Sequence, residues 1–145
     1  KRLPNLAGVK FANRDQDLLV ECMKVEEGAF DILFGTDEKL IEGLAIGCRG
    51  AVGSSYNVAA LLYHRIIQSY DEGNLDTAQK LQAHCVQFIG VLYQYGYLPA
   101  TKAVMEMLGV ACGPARPPLV NLSEVAKSTL RSELKEIGFF DLIKR

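Results

Sequence analysis

The residue best suited to covalent chemistry in this chain is a lysine close to the end of an apolar segment. Five of the seven residues at positions 6–12 are apolar and polar residues follow at 13–15, which predicts a fully buried strand with Lys10 near its carboxyl end. Apolar surroundings favour the neutral amine of a lysine over its ammonium form. A neutral amine can attack a ketone and form a Schiff base, an electron sink for breaking or forming a carbon–carbon bond. Lys10 is therefore the candidate catalytic residue, and the alternative is a solvated lysine just past a strand.

Two further polar clusters follow apolar segments and could bind a substrate. Gly35 and Gly53 would let a ligand approach the backbone closely, because glycine has no Cβ. Asp37 and Glu38 come next after the first of these glycines, and a structural role at the positive end of a helix explains them equally well. Ser54 could donate a hydrogen bond to a substrate hydroxyl or carboxylate, or it could cap the helix that follows.

The elements that must position these clusters alternate along the first seventy residues. Apolar segments predict strands at 5–12, 30–35 and 50–53, and helical periodicity follows each of them. Such alternation implies a parallel sheet, either open and doubly wound or part of a (β/α)8 barrel. In both architectures the carboxyl ends of neighbouring strands meet at one edge, so the three polar clusters should converge there.

The second half of the chain is predicted to be helical. Helical spacing covers residues 75–95 and 100–108, with a turn at 96–99, and the proline-rich residues 113–118 exclude a helix. Ser123 has the character of an N-cap for a last helix. We therefore divide the chain into a βαβαβα segment, residues 1–72, and a C-terminal helical region, residues 73–145.

Composition excludes several classes of function. The chain has 145 residues and a formal net charge of −1 without a basic stripe, which argues against nucleic acid as a partner. No apolar run approaches the ~18 residues that cross a bilayer, so no membrane is expected. The cysteines lack metal-ligand spacing and are predicted to be buried, reduced thiols of a cytoplasmic protein. Both histidines lack a partner at metal spacing, and the tyrosines between positions 93 and 97 are expected to be packing residues. The cysteines are Cys22, Cys48, Cys85 and Cys112, and the histidines are His64 and His84.

Three motifs closely resemble those of the N-acetylneuraminate lyases. They are Gly8-Val9-Lys10, then Phe34-Gly35-Thr36-Asp37-Glu38, then Gly50-Ala51-Val52-Gly53-Ser54-Ser55-Tyr56-Asn57. These lyases belong to the pyruvate-dependent class I aldolases, together with dihydrodipicolinate synthase. The resemblance continues through residues 73–82 and 101–105 to the loop at 117–119, so it covers nearly the whole chain.

The resemblance implies a role for particular residues. Lys10 matches the Schiff-base lysine that captures the keto carbon of pyruvate. Four substrate-binding positions match those that hold the hydroxylated tail of the sugar: Gly35, Asp37, Glu38 and Ser54. Ala12, at a fifth such position, departs from the pattern, because sialic acid lyases usually carry Thr or Ser there and synthases commonly carry Ala. Because of this difference, the resemblance does not decide which sugar acid is the substrate.

The resemblance also implies a fold, a reaction and partners. It predicts the C-terminal part of a (β/α)8 barrel, strands six to eight, followed by C-terminal helices; a full member has about 300 residues. The implied reaction cleaves N-acetylneuraminate to N-acetylmannosamine and pyruvate, without a metal or organic cofactor. The implied partners are these small molecules, the missing N-terminal half of the barrel, and further copies in a homotetramer.

Two motifs of the family's earlier half are missing from this sequence. We find neither the glycine- and threonine-rich loop that binds the pyruvate carboxylate nor the tyrosine of a YxxP motif that relays a proton. We therefore expect little or no lyase activity from this chain alone. The alternatives are another pyruvate-dependent aldolase or synthase of the same family, and a truncated, inactive chain that binds its full-length relative.

Overall fold

The computed structural model describes residues 3–144. The chain separates into two compact units, one ending at Gly53 and the other beginning at Ser54. The first unit contains the whole sheet, and the second is entirely helical in its regular structure.

The first unit is built on three parallel strands. Strand β1 (Gly8–Phe11) pairs with β2 (Asp31–Phe34), and β2 pairs with β3 (Gly50–Ala51), in the order β1-β2-β3. Helix α1 (Gln16–Lys24) follows β1, and helix α2 (Leu40–Ile46) follows β2. The predicted alternation of strands and helices is therefore confirmed in this unit, with parallel neighbours as expected.

Local sequence signals explain where these helices begin and end. The side chain of Asp15 accepts a hydrogen bond of 3.0 Å from the backbone N–H of Leu18, which caps α1. Asp17 in the first turn and Lys24 in the last turn complement the helix dipole. Helix α2 ends at Gly47, whose φ of 109° places it in the left-handed region where glycine is unstrained.

The core of the first unit lies between the sheet and its helices. Phe11, Ile32 and Phe34 of the strands pack with Leu19 of α1 and with Cys48. Helix α2 crosses close to the sheet at a glycine, because a Cβ at Gly43 would overlap the ring of Phe34.

The prediction of a fully buried first strand is wrong. Strand β1 covers four residues instead of eight, and of these only Phe11 is buried, while Val9 is 46% exposed. Within the described chain β1 lies at the edge of the sheet and pairs with β2 alone. An edge strand has no strand neighbour on one side, so one row of its backbone groups is unpaired and its side chains lack the cross-strand packing that a further strand would give.

Residues 54–144 of the second unit form five helices. Three of them are α3 (Tyr56–Asp71), α4 (Leu75–Gln94) and α5 (Tyr97–Met107), and they are followed by α6 (Glu124–Glu136) and α7 (Phe139–Leu142). Side chains from every one of these helices are fully buried in this unit, among them Leu62, Ile66, Cys85, Phe88, Leu92, Val104, Leu130, Leu134 and Phe139. None of the helices within residues 3–144 is long and apolar enough to cross a bilayer.

The structure revises three expectations for this half. Helix α5 begins at Tyr97 and not near residue 100, because Pro99 falls in the first turn, where a helix does not need its N–H. Helix α7 was not predicted. Cys112 is exposed, whereas Cys48 and Cys85 are buried as expected. The predicted division of the chain into a βαβαβα segment, residues 1–72, and a C-terminal helical region, residues 73–145, stays a prediction.

Candidate active site

The side chain of Lys10 lies over the end of the neighbouring strand. Lys10 is paired in register with Leu33 of β2, and a Cβ placed on Gly35 would come within 2.8 Å of Lys10 Cε. The same Cβ would lie 3.0 Å from the carbonyl oxygen of Phe11 and 3.1 Å from the Cβ of Ala12. The absence of a side chain at Gly35 therefore makes room for the lysine stem, and the structure brings Lys10, Ala12 and Gly35 together.

The expected apolar enclosure of Lys10 is not present in the described residues. Lys10 is exposed, and so are Val9 and Ala12 on either side of it. Lys10 and Phe11 are consecutive in β1, so their side chains lie on opposite faces of the sheet, and the core packs on the face that carries Phe11. The lysine stem is therefore placed by Gly35, while the residue as a whole stays exposed.

The second cluster follows β2 and lies against the end of β3. Asp37 is only 6% exposed and opens a short 3-10 turn, Asp37–Lys39, in which Glu38 is half-buried. The carboxylate of Asp37 fills the space beside the backbone of Gly53, so a Cβ on that glycine would overlap it. Asp37 and Gly53, which the sequence separates by sixteen positions, are thus neighbours at the carboxyl ends of adjacent strands.

Backbone hydrogen bonds hold these strand ends in place. The N–H of Gly35 donates to the carbonyl of Phe11, and the N–H of Val52 donates to the carbonyl of Phe34, both at 2.8 Å. The ladder of the sheet therefore extends one residue past β2 and past β3. These bonds hold the backbone at the ends of β2 and β3 in line with the sheet.

Ser54 belongs to the helical unit, and its side chain does not cap a helix. The N-cap position of α3 is Ser55, so the alternative interpretation of Ser54 as an N-cap is wrong. Instead, Ser54 Oγ donates a hydrogen bond of 3.1 Å to Tyr97 Oη, and the Ser54 carbonyl accepts one from Asn57 Nδ2 at 3.0 Å. Ser54 is exposed, so its hydroxyl is accessible from solvent.

Tyr97 is a neighbour of Ser54 that sequence reasoning missed. The sequence predicts only a packing role for Tyr97. Its hydrogen bond with Ser54 joins residues 43 positions apart, and a contact at that separation leaves no local sequence signal. Its ring packs on that of Tyr93, with centroids 4.8 Å apart and planes inclined by 32°. The spacing of the two tyrosines, four residues apart, is compatible with one helix face, but Tyr93 belongs to α4 and Tyr97 is the first residue of α5.

A buried hydroxyl pair supports the residues that follow Ser54. The side chains of Ser55 and Tyr63 form a hydrogen bond of 2.7 Å, and both residues are buried. The ring of Tyr56 meets that of Tyr63 edge to face, with centroids 4.1 Å apart. The Ser55-Tyr56 part of the third motif therefore has a structural role at the start of α3.

Comparison with known proteins identifies the family. The Dihydrodipicolinate synthetase family matches residues 1–137. The chain belongs to this family. Among curated members, the N-acetylneuraminate lyase of Gallus gallus is 36% identical over 144 residues, and that of Rattus norvegicus is 29% identical over 141 residues. The matches cover 97% and 95% of this chain but 47% and 44% of the two relatives, so the chain spans about half the length of the curated relatives it matches.

Solved structures of the family agree with the fold described above. The N-acetylneuraminate lyase of Proteus mirabilis superposes with a TM-score of 0.89 at 37% identity, covering 94% of this chain and 46% of that one. The enzyme of Aliivibrio salmonicida gives a TM-score of 0.90 at 36% identity, with 95% and 46% covered. The prediction that the chain forms part of a (β/α)8-barrel enzyme is confirmed, as is its membership of a family of lyases of the aldolase type.

Proposed function

We propose that this chain supplies the Schiff-base lysine and the sugar-binding residues of an N-acetylneuraminate lyase. One observation carries the proposal: the stem of Lys10 lies at the carboxyl end of the adjacent strand, over Gly35, where a barrel enzyme collects its reacting groups. The likeness to N-acetylneuraminate lyases from several organisms supports the same reaction.

In the proposed reaction the amine of Lys10 attacks the C2 ketone of the open-chain sialic acid. Loss of water gives an imine between C2 and the lysine nitrogen, and protonation of that nitrogen makes it an electron sink. The C4 hydroxyl then gives its proton to a base in the remaining part of the enzyme, so that its oxygen forms the C=O of N-acetylmannosamine. The bond between C3 and C4 breaks as this happens, and its electron pair moves to the protonated imine, which becomes an enamine. Protonation of the remaining enamine at C3 and hydrolysis of the imine release pyruvate and restore the free lysine.

The lysine must be uncharged to begin this reaction. Lys10 is exposed in the described chain, so we propose that the remaining barrel strands provide the apolar surroundings that favour the neutral amine. The prediction of little activity from this chain alone has the same basis. A homotetrameric assembly rests on the family resemblance, and a cytoplasmic location rests on the expected reduced cysteines; both stay predictions.

The residues proposed to hold the sugar tail offer hydrogen-bond partners of different kinds. Asp37 and Glu38 offer carboxylate oxygens, which accept from hydroxyls, and Gly35, which has no side chain of its own, offers its backbone. Ser54 contributes a hydroxyl. Ala12 contributes none, so a contact that a Thr or Ser would make with the substrate is lost at that position.

Reductive trapping tests the proposed role of Lys10. Borohydride is added to the protein that carries this chain in the presence of pyruvate, and the adduct is located by mass spectrometry of peptides. We expect the adduct on Lys10 and none in a Lys10→Ala variant. A Lys39→Ala variant is the matched control, because Lys39 is bound to Glu42 at 3.0 Å and should leave trapping unchanged. A wild-type protein that gives no adduct would contradict the proposal.

Ala12 favours a second candidate function, a pyruvate-dependent aldolase or synthase with a different partner aldehyde. Such an enzyme would use the same lysine imine with a different 2-keto-3-deoxy acid or with an acceptor of the aspartate semialdehyde type. Release of N-acetylmannosamine from N-acetylneuraminate, compared with aldehyde release from 2-keto-3-deoxy acids, separates the two functions.

A further inference from the structure

We propose that Tyr97 is a positioning residue that makes Ser54 a hydrogen-bond acceptor for a hydroxyl group of the substrate. The inference rests on the proposed function, since it assumes that Ser54 meets the hydroxylated tail of a sugar. It assigns to Tyr97 a role in choosing the substrate, although Tyr97 itself need not contact the substrate.

The hydrogen bond between the two side chains determines what Ser54 can offer. Ser54 Oγ donates to Tyr97 Oη at 3.1 Å, and a serine hydroxyl has a single proton to donate. With that proton directed at Tyr97, the oxygen keeps its lone pairs for an incoming donor. Since Ser54 is exposed, a donor on a ligand can reach these lone pairs.

The acceptor on the tyrosine is held in place from two sides. The Tyr97 carbonyl accepts a hydrogen bond of 2.7 Å from Thr101 Oγ1, and Thr101 is buried with 5% exposure. The ring of Tyr97 packs against that of Tyr93 at 4.8 Å between centroids. A group whose backbone and ring are both fixed directs its partner better than a mobile one, because less freedom is lost when the ligand binds.

An acceptor at this position discriminates between substrate classes. An alcohol of a polyhydroxylated aldehyde can donate to Ser54, whereas a carboxylate has no proton to donate and meets only lone pairs. An aldehyde without hydroxyl groups has no donor for the oxygen of Ser54. The geometry thus favours polyhydroxylated acceptor aldehydes over simple ones and over acceptors that place a carboxylate there.

The test measures aldol synthesis by the protein that carries this chain. Pyruvate is held constant, and KM is compared for N-acetylmannosamine and for propanal, which lacks hydroxyls. Tyr97→Phe keeps the ring and removes the acceptor, so the hydroxyl of Ser54 can rotate and donate its proton to another group. We expect KM for N-acetylmannosamine to rise by about three- to tenfold, the usual effect of one hydrogen bond, with kcat and the KM for propanal unchanged.

A neighbouring tyrosine provides the matched control. Tyr95 Oη donates to Glu133 Oε1 at 2.7 Å, so Tyr95→Phe also removes one phenolic hydrogen bond from this helical unit. It should leave both KM values unchanged. Ser54→Ala provides a second variant, should Tyr97→Phe fold poorly, and it should raise the same KM. The double variant should be no worse than Ser54→Ala alone, because both changes remove one interaction.

Separate outcomes identify which statement is wrong. If pyruvate and borohydride leave no adduct on Lys10, the proposed function and this inference both fail. If the adduct forms, the inference alone is overturned by any of three results. These are an unchanged KM for N-acetylmannosamine in Tyr97→Phe or Ser54→Ala, an equal rise for propanal, and an equal effect of Tyr95→Phe.

Discussion

The carboxylate of Asp37 lies against the backbone of Gly53, in the space that any side chain at position 53 would occupy. Asp37 is buried and opens the turn after β2, while Gly53 closes the first unit two residues after β3. The contact joins two of the motifs on which the family resemblance rests. Gly53 is therefore needed for its small size, which lets an acidic side chain settle at the strand ends.

Substitution of Gly53 should disturb Asp37 directly. In Gly53→Ala the new Cβ overlaps the carboxylate, so Asp37 must rotate, and we expect a loss of about 1–3 kcal/mol in stability, typical of overpacking. If Asp37 holds the sugar, KM for the sugar should rise while pyruvate trapping on Lys10 continues. Thermal unfolding and steady-state kinetics measure the two effects.

Gly90 supplies the control for this prediction. It lies inside α4, is exposed, and a Cβ there would meet nothing within 4 Å. Gly90→Ala should raise stability by about 0.5–1 kcal/mol, because alanine loses less backbone freedom on folding. Equal effects of the two substitutions on stability would show that the Asp37 contact is unimportant.

Gly35→Ala should change the placement of Lys10 more than it changes the fold. The added methyl group would lie 2.8 Å from Lys10 Cε, and the flexible lysine stem can move away, whereas the Phe11 carbonyl at 3.0 Å yields less. We expect slower Schiff-base formation with pyruvate at an unfolding temperature lowered only slightly. Rates of borohydride-trapped adduct formation, followed by mass spectrometry, provide the measurement, and an unaltered rate would mean that Gly35 does not position the lysine.

The start of α6 offers a prediction about stability alone. Ser123 Oγ accepts a hydrogen bond of 3.2 Å from the backbone N–H of Ala126, so Ser123→Ala leaves that donor without its cap. We expect a loss of about 1 kcal/mol in the free energy of unfolding. Ser128→Ala, at an exposed site within the same helix, should instead be neutral or slightly stabilising, because alanine has the higher helix propensity. Chemical denaturation of both variants decides between these outcomes.

The cysteines should differ in their reactivity toward a thiol reagent. Burial raises the pKa of the Cys48 thiol, and the nearby Asp31 carboxylate raises it further, so less of the reactive thiolate is present at neutral pH. We expect exposed Cys112 to be labelled first, and the labelling of Cys48 to keep increasing at more alkaline pH. Asp31→Asn should lower the pKa of Cys48 and speed its labelling without affecting Cys112. Peptide mass spectrometry over a pH series follows both sites, and equal labelling of Cys48 and Cys112 at neutral pH would contradict the expectation.

Much of the candidate site could be predicted because its signals are local. Lys10 lies near the end of an apolar segment, and Gly35 and Gly53 end the second and third predicted strands, so their place at strand ends could be inferred from pattern alone. The exposure of Lys10 could not, because it depends on which strands cover β1. The Ser54–Tyr97 hydrogen bond could not either, since it joins residues 43 positions apart.

The sequence by itself determined the alternation of strands and helices in the first unit, the cap at Ser123, and the family to which the chain belongs. Periodicity, capping residues and contiguous motifs act over a few neighbouring positions, so they can be read along the chain. Only the tertiary structure decided that β1 is an edge strand, that Asp37 packs on Gly53, and that Tyr97 binds Ser54. These features depend on contacts between distant segments, and such contacts exist only once the chain has folded.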